Sequence, residues 1–216
     1  MYPFLPYCRA KLIVAAQRTV GHCKMSMIHC PEDVICGALI TKEKRQEVYG
    51  TVAGGSGSMG PEKYQRAKIT EGTGVACGKT NMRINYRTRI LRDIAQPNKL
   101  RDGFDYTEDF DGIQMFGSIR VLLNFKSIVG AGGAQTRSLR EVYHFVQAQL
   151  DVLAAGAAPD TLFANILDGD EAASVLDKFQ YLLTLPVHTA HASKIYVGDL
   201  KGYFPWIENQ VAKSSS

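Results

Sequence analysis

Four polar residues bracket and interrupt an apolar stretch: Asp109 and Asp111 before it, Asn124 and Lys126 inside it. Two neighbouring carboxylates can hold a divalent cation through hard oxygen ligands. A lysine beside them can position an attacking water or stabilise charge developing on a phosphate. Whether the four meet depends on the chain between them. Ile113 to Phe116 and Ile119 to Val129 read as strands, and Gly117-Ser118 reads as a tight turn of the Gly-X kind. With Phe116 opposite Ile119, Asp111 falls opposite Asn124 and Asp109 opposite Lys126, so all four share one face. Ile119, Val121, Leu123 and Phe125 take the other face as core. The bland alternative is a buried Asp109–Lys126 ion pair with no catalytic task.

Charge is distributed unevenly around this hairpin. The net charge is only +4, yet Pro61 to Arg101 holds ten Lys/Arg residues against three acidic ones. Asp102, Asp105, Glu108, Asp109 and Asp111 follow at once. A basic surface that neutralises phosphates, next to acids that hold a cation, is what phosphodiester cleavage requires; a solvated charged face beside an acidic loop has the same composition. No run approaches the length of a membrane span, and the N-terminus lacks the charged start of a signal peptide. The five cysteines are an odd number, which fits a reducing, cytoplasmic setting without disulfides.

The elements after the hairpin follow from periodicity. Ser138 is expected to open a helix running to about Ala155, with Leu139, Val142, Tyr143, Val146, Leu150 and Leu153 as its apolar stripe. Leu162 to Leu167 reads as a short strand closed by Asp168-Gly169-Asp170. A helix from Ala172 to Leu183 and a strand from Lys194 to Val197 complete the series. Hairpin, helix, strand, helix, strand predicts an α/β fold: a mixed central sheet, a β-hairpin site and flanking helices. Upstream, Lys11 to Gln17 reads as helical, and Gly54 to Gly60 as a flexible connection. The final Lys-Ser-Ser-Ser reads as a disordered tail.

The segments TEDFDG (107–112), LLNFK (122–126) and GGAQTRSLREVYHF (132–145) resemble nucleases of the PD-(D/E)XK type, type II restriction endonucleases in particular. In that family an aspartate starts one strand, a D/E-x-K triplet lies on the next, and a helix follows. Asp111 matches the aspartate, and Asn124-Phe125-Lys126 matches the triplet, with asparagine where the family has an acid. The resemblance covers about residues 104–200, the expected nuclease core of a single domain. Residues 1–103 would be an elaboration for DNA binding or dimerisation. It implies a restriction-endonuclease-like fold and a magnesium-dependent, sequence-specific endodeoxyribonuclease. The substrate would be double-stranded DNA and the active form a homodimer. Asp111, with Asp109 or Glu141, would bind Mg2+, Lys126 would assist the attacking water, and Asn124 would complete the catalytic set.

Glu141 has a second explanation, because Ser138-x-x-Glu141 is a capping-box pattern and Glu141 points away from the apolar stripe. Residues 132–137 lead into the same helix, where exposed N–H groups attract phosphate and Gln135 or Arg137 could read a base edge. Arg140, Lys79, Arg83, Arg87 and Arg89 complete the expected DNA contacts. Two rivals stand beside the nuclease. One is a non-catalytic nucleic-acid-binding protein using the same basic region. The other is a nucleotide-binding enzyme using Gly72 to Thr80, which departs from the P-loop pattern by one position in each glycine. His22, Cys23, His29, Cys30 and Cys36 match no common zinc spacing.

Overall fold

The computed structural model describes residues 59–128, 132–168 and 170–214. Lys11 to Gln17, the His/Cys cluster and most of the glycine-rich connection lie outside the described residues. Met59 and Gly60 open helix α1 (Met59–Thr73), which is followed by β1 (Met82–Asn85) and β2 (Ile90–Asp93). Next come β3 (Gly112–Phe116), β4 (Ile119–Ser127) and α2 (Gly133–Ala154). The chain continues through β5 (Thr161–Asp168), α3 (Asp170–Ser174), α4 (Leu176–Thr184), a 3-10 turn at Ala192–Lys194, β6 (Ile195–Gly198) and α5 (Leu200–Ser214).

The main sheet has the order β3-β4-β5-β6; β3 runs antiparallel to β4, and β4, β5 and β6 are parallel. Helices cover both faces, so the fold is mixed α/β. β4 is a central strand, apolar on both sides as parallel strands require. Leu122 on one face joins Phe163, Leu167, Val197 and the stripe of α2 (Val142, Val146, Leu150). Val121, Leu123 and Phe125 on the other join Leu162, Ala164 and Ile166, with Ile69 of α1 and Leu200, Tyr203 and Ile207 of α5. A second, two-stranded sheet pairs β1 with β2, and Met82 and Ile84 bury against the α2 side.

The hairpin register is as expected, Phe116 against Ile119 through to Gly112 against Leu123, with Gly117 in the left-handed region at φ 62. There the ladder stops. Upstream of Gly112 the chain turns to β1 instead: Thr107 N–H donates to Ile84 O (2.9 Å), and Phe110 N–H to Met82 O (3.0 Å). Gly112 marks the branch, because a Cβ there would meet Cys77 Sγ at 2.9 Å and the Phe125 ring at 3.3 Å. The opposition of Asp111 to Asn124 and of Asp109 to Lys126 is therefore not formed.

Other boundaries differ for local reasons. α2 begins at Gly133, not Ser138, and its N-cap Gly132 offers no side-chain cap. The expected helix from Ala172 divides at Val175, whose φ −118 and ψ 8 break the helical path. Lys213 and Ser214 belong to the last turn of α5 rather than to a tail. α1 has no apolar stripe for periodicity to reveal, because its buried face holds Gln65 and Arg66 beside Ile69. Residues 59–103 do more than elaborate a core that starts at 104, since Ile69, Met82 and Ile84 are built into its two clusters. A buried chain of polar contacts locks α1 and α5 to β3: Tyr203 Oη donates to Gln114 Oε1 (2.7 Å), and Gln114 Nε2 donates to Thr73 Oγ1 and Val75 O.

Candidate active site

Asp111 stands where β3 ends and the chain diverges toward β1. On β4 the next N–H that a longer β3 would have engaged is that of Phe125, and it donates to Asp111 Oδ2 at 2.6 Å. The carboxylate thus replaces a strand. From α1, Arg66 Nη1 donates to Asp111 O at 2.7 Å and lies 4.0 Å from Glu62. Burial pushes the Asp111 carboxyl up to about 6; the Phe125 N–H opposes the shift, Glu62 adds to it, Lys126 opposes it and Asp109 adds to it. One half-buried carboxylate therefore feels two other acids and one ammonium.

Lys126 occupies the carboxyl end of β4, paired in register with Leu167 of β5, and shares the face of Leu122 and Asn124. It is partly exposed and has no ion-pair partner within 4.0 Å among the described residues. Asp111 feels the charge of Lys126, although the two are not cross-strand neighbours. Asp109 goes elsewhere: its carboxylate meets Arg83 at 3.1 Å. Asn124 is buried, and its Nδ2 donates to Asn165 Oδ1 at 3.3 Å. Asn165 exchanges hydrogen bonds with Gln149 of α2 at 3.0 and 2.8 Å. The expected convergence of four polar groups is not formed, because β1 competes for the upstream chain and an amide cluster engages Asn124.

Glu62 is the residue that sequence reasoning missed. The signal was present as the i, i+4 pair Glu62 and Arg66, but only the packing of α1 beside Asp111 gives it meaning. Glu141 is exposed on α2 and is not among the groups that act on Asp111. Its capping-box explanation also fails, since Ser138 lies within the helix. Among the described residues no three or more His, Cys, Asp or Glu side chains gather as a cage for a metal ion.

The expected DNA contacts divide. Arg137, Arg140 and Lys79 are exposed. The side chain of Gln135 is outside the description, and its backbone lies in the first turn of α2, not in a loop. Arg83 is a correction: its guanidinium donates to Ile94 O and Thr107 O and pairs with Asp109, which ties β1 to the segment before β3. Arg87 pairs with Asp105 at 3.1 Å but stays exposed, and Arg89 closes the β1–β2 turn with φ 55. Gly72 to Thr80 runs from the end of a helix toward a strand, the reverse of the strand-loop-helix order that presents N–H groups to phosphates. Burial pushes the Cys77 thiol up to about 12, which disfavours its thiolate.

No protein-family model matches the chain, and neither a curated protein nor a solved structure shows significant similarity to it. Among the described residues no helix is long and apolar enough to cross a membrane.

Proposed function

We propose that this protein is a metal-dependent, sequence-specific endodeoxyribonuclease of the type II restriction kind, with Asp111 and Lys126 at its centre. What carries the proposal is the state of Asp111: a half-buried carboxylate that accepts the Phe125 N–H, with its pKa pushed up to about 6 by burial, Glu62 and Asp109 against that N–H and Lys126. A carboxylate whose pKa is raised in this way by burial and neighbouring acids is a mark of functional sites. Mg2+ keeps several of its waters and takes one or two protein carboxylates together with substrate phosphates. Asp111 and Glu62 would be those carboxylates, with Glu62 standing in for the acid that Asn124 does not supply. Once bound, the cation would neutralise charge on the scissile phosphate. Lys126, partly exposed and without an ion-pair partner among the described residues, would donate to the attacking water or to a phosphate oxygen and hold it in line. Arg137, Arg140, Lys79 and Arg89 would contact the backbone of double-stranded DNA, and a restriction-endonuclease-like homodimer in the cytoplasm would present two such sites to a palindrome.

Purified protein is expected to cut plasmid DNA only when a divalent metal is added. Lys126→Ala should lower the cutting rate by about 10²–10³-fold, the scale for loss of one charge-stabilising donor, with an unchanged melting temperature. Cutting by that variant at the wild-type rate would sink the assignment. The engagement of Asp109 by Arg83 and of Asn124 by Asn165 favours a second reading, a nucleic-acid-binding protein without catalysis. Retained DNA binding with no cleavage across a series of metals would select it.

A further inference from the structure

Arg66 is buried on α1, its side chain only 10% exposed, and a guanidinium cannot shed its charge there as a lysine can. A buried charge is expected to be closely paired and fully bonded. Among the described residues this side chain makes one hydrogen bond, from Nη1 to Asp111 O at 2.7 Å. Its ion-pair contact runs from the same nitrogen to Glu62 Oε2 at 4.0 Å. Both partners belong to the candidate site. Because one nitrogen serves both oxygens, they cannot be further apart than those two distances laid end to end.

The two contacts differ in kind. The hydrogen bond is short, and it holds a main-chain oxygen at the point where β3 ends and the chain turns to β1. Cys77 lies against Gly112, next along the chain from Asp111. Burial raises its thiol and the Arg66 guanidinium opposes that, which places the guanidinium on the main-chain side of Asp111. Arg66 is not among the groups that act on the Asp111 carboxyl, whereas Glu62 is. The ion-pair contact is long. Closed guanidinium–carboxylate pairs have hydrogen bonds of about 2.7–2.9 Å; at 4.0 Å the charge attracts Glu62 without occupying its lone pairs. The helix dictates this spacing, since residues four apart on α1 share a face. One side chain thus fixes the Asp111 main chain and draws Glu62 toward it, and it closes on neither carboxylate.

We propose that Arg66 is a positioning residue of the cation site, which sets Asp111 and Glu62 side by side and leaves both carboxylates open to a divalent cation. The role rests on the nuclease reading for that cation and adds the residue through which the two acids are placed. Its expected sign sets it apart from simpler roles. A fixed positive charge repels an incoming metal ion, so by Coulomb's law alone the loss of Arg66 should tighten metal binding. A tie that merely fastens α1 to the sheet should lower the melting temperature and leave the affinity of folded molecules alone. Positioning requires the affinity to fall.

The test is Mn2+ binding by the full chain without DNA, read from loss of the free-ion electron paramagnetic resonance signal. It is run at a temperature where circular dichroism shows each variant folded. Arg66→Met should bind Mn2+ about 10–100-fold more weakly, the scale for groups that orient metal ligands. The same change on a Glu62→Gln background should cost less, because one of the acids it places is gone. Plasmid cutting by Arg66→Met should need the same factor more Mn2+ for its half-maximal rate. Arg66→Lys keeps the charge on a shorter reach, and it should weaken binding in the same direction by a smaller factor. Equal or tighter Mn2+ binding by Arg66→Met, or by Arg66→Lys where the methionine variant does not fold, overturns the positioning role and leaves the nuclease proposal standing. An undiminished cost on the Glu62→Gln background does the same. Failure of both Arg66 variants to fold would make the residue a structural tie, which also overturns the role. Wild-type protein that binds Mn2+ with this dependence on Arg66, yet cuts DNA in no metal, overturns the nuclease reading and keeps the positioning role. Wild-type protein that binds no Mn2+ removes both.

Discussion

Two polar clusters flank β4, and they are opposites. Around Asn165 every described group is neutral, buried and bonded: Asn124 and Gln149 donate to one oxygen, and Asn165 Nδ2 reaches Gln149 Oε1 at 2.8 Å and Tyr196 O at 3.4 Å. Around Asp111 the groups are charged, and the balance is unfavourable, with burial and two acids set against one lysine and one N–H. The first cluster spends its polarity on joining α2, β4, β5 and β6. The second keeps a carboxyl whose pKa is pushed up to about 6 at the sheet edge. Satisfied polar groups define a fold, and unsatisfied ones mark where a ligand would relieve them.

The sharpest way to break this contrast is to neutralise Asp111. Asp111→Asn keeps an acceptor for the Phe125 N–H, so the fold should survive, while cutting falls by about 10²–10³-fold. Its stability should depend on pH in a defined direction. The folded-state value of about 6 lies above the ordinary range near 4, so the folded chain binds this proton more tightly. That stabilisation is complete below about pH 4 and is lost as the pH rises to about 6, by up to about 3 kcal/mol. In thermal melts with EDTA, wild type and variant should coincide near pH 4, and the variant should melt higher above pH 6. A wild-type protein that matches or exceeds the variant at pH 8 would mean that Asp111 is a satisfied structural group.

Asn165→Leu should act in the opposite sense. It strands the buried amides of Asn124 and Gln149 and is expected to cost about 2–4 kcal/mol in denaturant unfolding. Cutting per folded molecule should stay within about twofold, and a much larger loss would join the two clusters into one functional unit. Below this come the arginines. Arg83→Met should lower stability by about 1–2 kcal/mol and leave the salt dependence of DNA binding alone. Arg140→Ala should leave stability alone and reduce the slope of affinity against salt by about one. The smallest effect belongs to Ser138→Ala, expected to stay within about 0.5 kcal/mol in thermal melts because Ser138 lies inside α2 rather than at its cap.

How far each part was legible follows from the range of the interactions that decide it. Turn chemistry at Gly117 and period-two alternation specify the β3–β4 register, and period-3.6 spacing specifies the buried stripe of α2, because both are local patterns. The mixed α/β class follows from the order of such elements. α1 and α5 escaped because one buries Gln65 and Arg66 in place of a stripe, and the other carries Gly202 and Pro205 within its span. Asp111 and Lys126 were found from the hairpin, but their partners were decided over distance. Asn124 meets an amide 41 residues away, and Arg66 reaches Asp111 O from 45 residues upstream. The sequence by itself determined the β3–β4 pairing and which residues could carry charge chemistry. Only the tertiary structure decided that β1 draws the chain away at Gly112, that Arg83 takes Asp109, and that Glu62 acts on Asp111, since each is a competition between segments that no local pattern can rank.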